Sequence, residues 1–236
     1  MNNVKSLPLR AIIEWDIPNW SRVLPFWEKH LPKKEGQPKI LTVGERNGGL
    51  SLWLALQGYP VIYSDVHDPK MEALELHLKY GVTDLISHEQ VDVFRMPYPD
   101  NSLDAVVCKS VIGGLKLVYS DRSTRTLENQ KKACEEIRRV LKPGGVFLGA
   151  ENLRGSPLHW YFRKRNGLDK GWRYLTLGEL QFLFDGYTQL QLKPFGFLPS
   201  STPWPLLNAL AGKMNDPLSR LLPDSWQYIA FIAAVK

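Results

Sequence analysis

Cysteine is scarce in this chain: Cys108 and Cys134 are the only two. That excludes a disulfide framework and a thiolate metal cluster, and it suits a reducing compartment. Long apolar runs are missing too, since no stretch approaches the roughly 20 residues that a bilayer-spanning helix needs. The opening MNNVKSLPLRAIIEWD has a lysine and an arginine but no long apolar segment and no small-residue cleavage site. No signal peptide is read there, and a cytoplasmic location is expected. Internal repeats and low-complexity tracts are absent. No His/Asp/Glu cluster has ligand spacing, so no metal is expected. The formal net charge is only +6. That mildly favours an anionic partner and falls short of a nucleic-acid footprint.

What is present is an alternation of apolar strands and amphipathic helices. KILTV reads as a buried strand, GLSLWLALQG as a helix ended by Gly58, and VIYSD as the next strand. DPKMEALELHLKYG is a helix with Pro69 in its first turn. LISHEQVD and LDAVVCKS are strands on either side of a PYPDNS turn. A long helix is expected from about Thr124 to Lys142, stopped by KPGG and followed by the strand VFLGAEN. Strands alternating with helices imply parallel pairing and helices on both sheet faces. Upstream, residues 1–16 read as an irregular lead-in, and Trp20, Val23, Leu24, Trp27 and Leu31 mark one face of a short helix. Downstream, TLGELQFLF is a helix, while TQLQLKPFGFL and SWQYIAFIAAVK are two final strands. The proline- and leucine-rich stretch between them, Pro199 to Asp224, is expected to be a partly helical lid.

The run ILTVGERNGGLSLWLALQGYPVIYSDV is strand, glycine loop, helix, strand, acid. Such a loop points backbone N–H groups over a helix N-terminus, and Gly44 and Gly48 let the backbone pass close to a ligand. Asp65, 21 residues after Gly44, stands where an acid accepts from both hydroxyls of a ribose. A dinucleotide cofactor fits poorly, because Leu50 occupies the place of the last glycine its fingerprint needs. Glycines that merely pack helix on strand are the remaining alternative.

Five stretches in order decide among these readings: VGERNGG, the acid of YSDV, VDVFRMPYPDNSLDAVVCKSVI, EEIRRVLKPGG and VFLGAEN. Together they resemble the class I S-adenosylmethionine-dependent methyltransferases over about Lys39 to Asn152. The resemblance implies that Gly44 and Gly48 face the methionine part of S-adenosylmethionine, that Asp65 binds the ribose and that Val66 lies against the adenine. It also implies that Asp92 accepts from the adenine amino group with Val93 beside it, and that Lys109 and Ser110 lie near the transferring methyl. Two positions depart from the family pattern. Thr42 stands where an acid is usual, and is expected to hold loop backbone. Arg46 replaces the middle glycine, and either points out of the loop or reaches the methionine carboxylate.

A hydroxyl acceptor needs its proton removed, so a base is expected at the carboxyl ends of the strands. Glu151, ending the fifth strand, and His159, in the following insertion, are the candidates. Gly113 and Gly114, where many relatives carry His-His, leave room for a bulky acceptor. The insertion HWYFRKRNGLDKGWRY interleaves aromatics and cations, which suits a glycan or other small acceptor, a nucleic acid, or a peripheral membrane contact. Nucleic acid ranks lower. A faint likeness of AIIEWDIPNWSRVLPFW and KSVIGG to methyltransferases of polysaccharide gene clusters favours a sugar hydroxyl. The expected architecture is one α/β domain with a Rossmann-like, seven-stranded, mostly parallel sheet whose last strand is antiparallel. Residues 1–36 lead in, 37–152 form the cofactor core, and 153–175 and 199–224 roof the acceptor pocket. Two alternatives stand beside methyl transfer to a sugar oxygen: an RNA or DNA methyltransferase, and a catalytically inactive binding protein of the same fold.

Overall fold

The computed structural model describes residues 7–68, 70–115, 127–168 and 172–236. Its strands are β1 (Ile40–Thr42), β2 (Val61–Asp65), β3 (Ile86–Gln90), β4 (Leu103–Lys109), β5 (Leu141–Asn152), β6 (Gln189–Phe195) and β7 (Ile229–Val235). They form one seven-stranded sheet in the order β3-β2-β1-β4-β5-β7-β6. β1 to β5 are all parallel, and β7 runs antiparallel to both β5 and β6. This is the α/β sheet expected, with its last strand reversed.

Successive residues of each central strand enter opposite cores, as a period of two requires. Leu41, Ile62, Val106 and Phe147 face a core closed by α6 (Leu127–Val140) and α8 (Leu177–Leu183). Ile40, Tyr63, Val107 and Leu148 face the other core. That side is closed by α1 (Leu9–Ile13), α2 (Ile17–Trp20), α3 (Leu24–Glu28), α4 (Gly49–Leu56) and α5 (Met71–Lys79). β1 pairs β2 on one side and β4 on the other. The strand order therefore reverses at β1, and a crevice opens at the carboxyl ends there.

Several local expectations are modified. The lead-in contains α1, whose Ile12 and Ile13 are buried. The helix expected from Pro18 is α2, a 3-10 turn at Ser21–Val23, and α3. Pro25, in the first turn of α3, has no N–H to continue the ladder. KPGG does not separate helix from strand but lies within β5, where the pairing shifts between Leu103 and Ala105 and Gly144 takes φ +78°. The lid stretch is one helix, α9 (Pro205–Leu221), packed on α2 and β6. The start of the long helix at Thr124, Pro69 ahead of α5, and Lys170 of the insertion lie outside the described residues.

α1 docks on the first residue of α4. A Cβ at Gly49 would stand 2.5 Å from the Ile12 carbonyl oxygen and 2.6 Å from that of Ala11. Both are backbone atoms, so the helix itself must move. Gly49→Ala is expected to cost about 1–3 kcal/mol, read as a lowered denaturant midpoint at unchanged slope. A stability equal to the parent's would show that α1 is not held this way.

Candidate functional site

The loop from β1 to α4 is shaped by two glycines with positive φ, Gly44 (+62°) and Gly48 (+76°). A Cβ at Gly44 would stand 2.7 Å from Val111 Cγ2. At Gly48 it would stand 2.5 Å from His77 Nε2, and that nitrogen lies 2.9 Å from the Gly48 carbonyl. Gly48 thus admits α5 to the loop from behind. His77 is buried, and burial pushes its pKa down.

The N-terminus of α4 is filled by the chain's own carboxylate. Glu45 Oε1 accepts from the Ser51 amide (2.6 Å) and the Ser51 hydroxyl (3.1 Å). Its Oε2 accepts from the Thr42 hydroxyl. Glu45 is buried, and burial raises its pKa to about 7. Glu45, three residues after Thr42, thus brings a carboxyl group to the start of α4. Thr42 holds that carboxylate in addition to reaching the backbone oxygen of Ile62, 3.2 Å away.

Over this loop lies a cleft of about 540 Å³. Gly44, Arg46, Asp65, Lys109 and Ser110 line it, with Glu45, His67 and Leu50. Its outer wall is Ile12, Glu14 and Trp15 from the N-terminal segment, together with Trp172. Asp65 Oδ1 accepts from the His67 amide at 3.2 Å. Arg46 points toward Glu14, their charged groups 3.2 Å apart, so the arginine ties the loop to the outer wall. Lys109 Nζ donates to the Ile13 carbonyl (3.1 Å) and stands 3.1 Å from the centre of the Trp15 ring. Burial pulls its pKa down to about 7. Ser110 has φ +55°, and its Oγ accepts from Asn152 at 2.6 Å.

Other expected site residues lie elsewhere. Gly48, Val66, Asp92 and Val93 are not among the lining residues. Asp92 Oδ1 accepts from the Phe94 amide at 2.9 Å, closing a turn, and Val93 is buried in the core beneath α6. Glu151 is fully buried, and its carboxylate accepts from the amides of Val111 and Ile112 (2.6 Å each) and Gly113 (3.4 Å). His159 belongs to the cap of α7 (Pro157–Arg165), with Nδ1 2.9 Å from Ser156 Oγ and Nε2 2.9 Å from the Phe197 carbonyl. Neither expected base lines the cleft. The room expected at Gly113 and Gly114 is taken by Trp172, since a Cβ at Gly113 would stand 2.2 Å from its Nε1. None of residues 199–224 lines the cleft.

The cations of the insertion are partly used up within the fold. Arg163 donates to the carbonyls of Leu153 and Arg154 and stacks 3.9 Å from the centre of Tyr174. Arg173 pairs with Glu179. Among the described residues, no group of three or more His, Cys, Asp or Glu is placed to hold a metal ion.

Sequence reading missed Ile12, Glu14 and Trp15 as cleft residues, along with Glu45. The first three sit in a segment without helical period. Glu45 carried a signal, a carboxylate directly ahead of a helix start, where exposed N–H groups attract an anion.

Residues 41–149 match the family model described as a methyltransferase domain. A sterol 24-C-methyltransferase of Gibberella zeae is 39% identical over 69 residues, covering 29% of this chain and 15% of that protein. A ubiquinone/menaquinone biosynthesis C-methyltransferase of a Shewanella species is 25% identical over 146 residues, 59% of this chain and 53% of that protein. The chain thus spans about half or less of these curated relatives. Among solved structures, phosphoethanolamine N-methyltransferase 2 of Haemonchus contortus, in complex with phosphomonomethylethanolamine and S-adenosylhomocysteine, superposes with a TM-score of 0.63. The identity is 18%, and the match covers 92% of this chain and 52% of that one. The family match is seated on this sheet, and residues 41–149 resemble the methyltransferase domain of the class I S-adenosylmethionine-dependent enzymes.

Proposed function

We propose that this chain transfers the methyl group of S-adenosylmethionine to a small-molecule acceptor at the carboxyl edge of its sheet. One observation carries the reading: Asp65 at the end of β2 shares a cleft with Lys109 and Ser110 at the end of β4, above an α4 N-terminus already filled by Glu45. An acid at the end of the second strand accepts from ribose hydroxyls. A filled helix terminus leaves no seat for the pyrophosphate of a dinucleotide. Gly44, Arg46, Asp65, Lys109 and Ser110 form the cofactor set in this reading. When bound, the cofactor supplies a methyl group on a positively charged sulfur. The chain's task is alignment, with the acceptor atom roughly 3–3.5 Å from the methyl carbon.

A sugar hydroxyl is the first acceptor class. It needs a base, and two cleft groups have a pKa brought to about 7: Glu45, whose carboxyl oxygens are held by Thr42 and Ser51, and Lys109, which is the candidate. Nitrogen or carbon acceptors are the second reading, favoured because Glu151 and His159 are engaged away from the cleft. Transfer of a labelled methyl group to a panel of sugars, amines and phenols separates the two. Calorimetry with S-adenosylmethionine tests the reading itself. No binding at sub-millimolar cofactor would favour a non-enzymatic binding protein.

Asp65→Ala is expected to weaken cofactor binding by about tenfold or more, the cost of losing a charged hydrogen-bond acceptor. An unchanged dissociation constant would remove Asp65 from the site.

A further inference from the structure

α9 is built inside out. Its inward side is polar or small: Gly212 lies against Pro18, where a Cβ would come within 2.5 Å. Asn215 is buried and donates to Asn19 Oδ1 (2.7 Å) and the Leu198 carbonyl (2.8 Å). Its Oδ1 accepts from the amides of Phe197 (2.9 Å) and Leu198 (2.8 Å). Ser219 Oγ accepts from the Gly196 amide at 3.2 Å. The outward side is apolar. Leu206 is 85% exposed and Leu221 80%, with Leu207, Leu210 and Met214 also exposed. At 3.6 residues per turn, these five fall within about a third of the helix circumference. A surface helix normally buries its apolar stripe, so a stripe turned outward marks a contact made outside the chain.

Charge and aromatic placement identify that contact. Lys213 and Arg220 are exposed on α9 and border the stripe. The helix's own acid, Asp216, is paired with Arg22 at 2.7 Å. Trp204, 63% exposed, opens the helix, and Trp226 lies in the 3-10 turn that follows it. Tryptophans at both ends of an apolar stripe edged by cations suit the boundary between headgroups and acyl chains. α7 repeats the composition, exposing Leu158, Tyr161 and Phe162 beside Lys164 and Arg165. The two helices hang from one short segment, since His159 Nε2 donates to the Phe197 carbonyl while the Phe197 amide donates to Asn215.

We infer that the outward face of α9 lies on the surface of an anionic lipid bilayer, as an interfacial helix. Among the described residues no helix is long and apolar enough to cross a membrane, so the contact is peripheral. The inference does not rest on the proposed activity.

The test is co-sedimentation of the whole chain with vesicles of phosphatidylcholine alone and of phosphatidylcholine mixed with phosphatidylglycerol. Binding to the mixed vesicles is expected, weakened by salt but not abolished. Leu206→Asp with Leu210→Asp should lower that binding about tenfold or more, as two exposed apolar side chains leave the interface. The melting temperature should be unchanged, because neither side chain is buried. Lys213→Gln with Arg220→Gln should weaken binding to the anionic vesicles by about fivefold or more and leave phosphatidylcholine unaffected. The inference is overturned if the parent binds neither vesicle, or if the leucine variant binds as the parent does. It is also overturned if light scattering shows a parent dimer that the leucine variant dissolves, since a second copy would then cover the stripe.

Discussion

Lys109→Met is expected to lower kcat for a hydroxyl acceptor about 100-fold or more, the typical worth of a positioned base. The lysine ends β4, lines the cleft and is held under the Trp15 ring with its Nζ on the Ile13 carbonyl. Methionine keeps most of the length and the contact with the tryptophan face, so the wall of the cleft should stay in place. Because Lys109 also belongs to the proposed cofactor set, the dissociation constant of S-adenosylmethionine is measured beside kcat, so that lost turnover is separated from lost binding. The pH profile carries the sharper signature. Burial brings the Lys109 pKa down to about 7, so the neutral amine that accepts a proton accumulates as pH rises through 7. Parent activity should climb across that window, and the variant's should not. A variant with the parent's kcat and the parent's profile would leave the sugar-hydroxyl reading without a base. Amine or carbon acceptors would then be preferred.

The sheet was legible because its central strands are buried on both faces. ILTV, VIYSD and VVCK are near-continuous apolar runs, a pattern that a parallel sheet with two covered faces requires. Asp65, Lys109 and Ser110 were legible as cleft residues for a related reason: the crevice of such a sheet opens where its strands end. The walls of the cleft were not. LRAII spans little more than one helical turn and has no measurable period, so α1 could not be read. The turn that follows takes Glu14 to φ +71° and Asp16 to φ +42°, conformations that their local sequence does not favour. They are held from far along the chain. Asp16 is buried and accepts from the hydroxyls of Ser200 and Tyr228 and from Asn19 at 2.9 Å. Contacts across nearly the whole chain leave no trace in a short window. Gly113 and Gly114 read as empty space for the same reason, because the ring that fills it comes from Trp172.

Glu45 gives Thr42 a role in three dimensions. Thr42 alone looked like a lost charge. In the fold, the Thr42 hydroxyl and the Ser51 amide converge on Glu45, so a carboxyl group sits at the start of α4. Arg46 then becomes a partner for Glu14, and the glycine it replaces is exchanged for a tie between loop and cleft wall.

Glu151→Ala should be the most destabilising single change at the sheet edge, by about 3–5 kcal/mol. Three amides, those of Val111, Ile112 and Gly113, lose a buried acceptor together. Each stranded donor costs roughly 1–3 kcal/mol. In a chain of this size the melting temperature should drop by about 10 °C. Burial raises the Glu151 pKa from 4.5 to about 7, against the lowering effect of those amides. The folded state therefore binds more protons than the unfolded state between pH 4.5 and 7, and stability falls as pH rises through that window. Glu151→Gln retains an acceptor and cannot ionise, so it should lose less stability and show a shallower fall. Some slope should remain, because Glu45 titrates in the same direction. Activity distinguishes support from chemistry. If Glu151 only braces the turn that seats Trp172, Glu151→Gln measured well below its melting temperature should turn over nearly as fast as the parent. A kcat collapsed in both variants while the melting temperature of Glu151→Gln holds would return the base to Glu151 and take it away from Lys109.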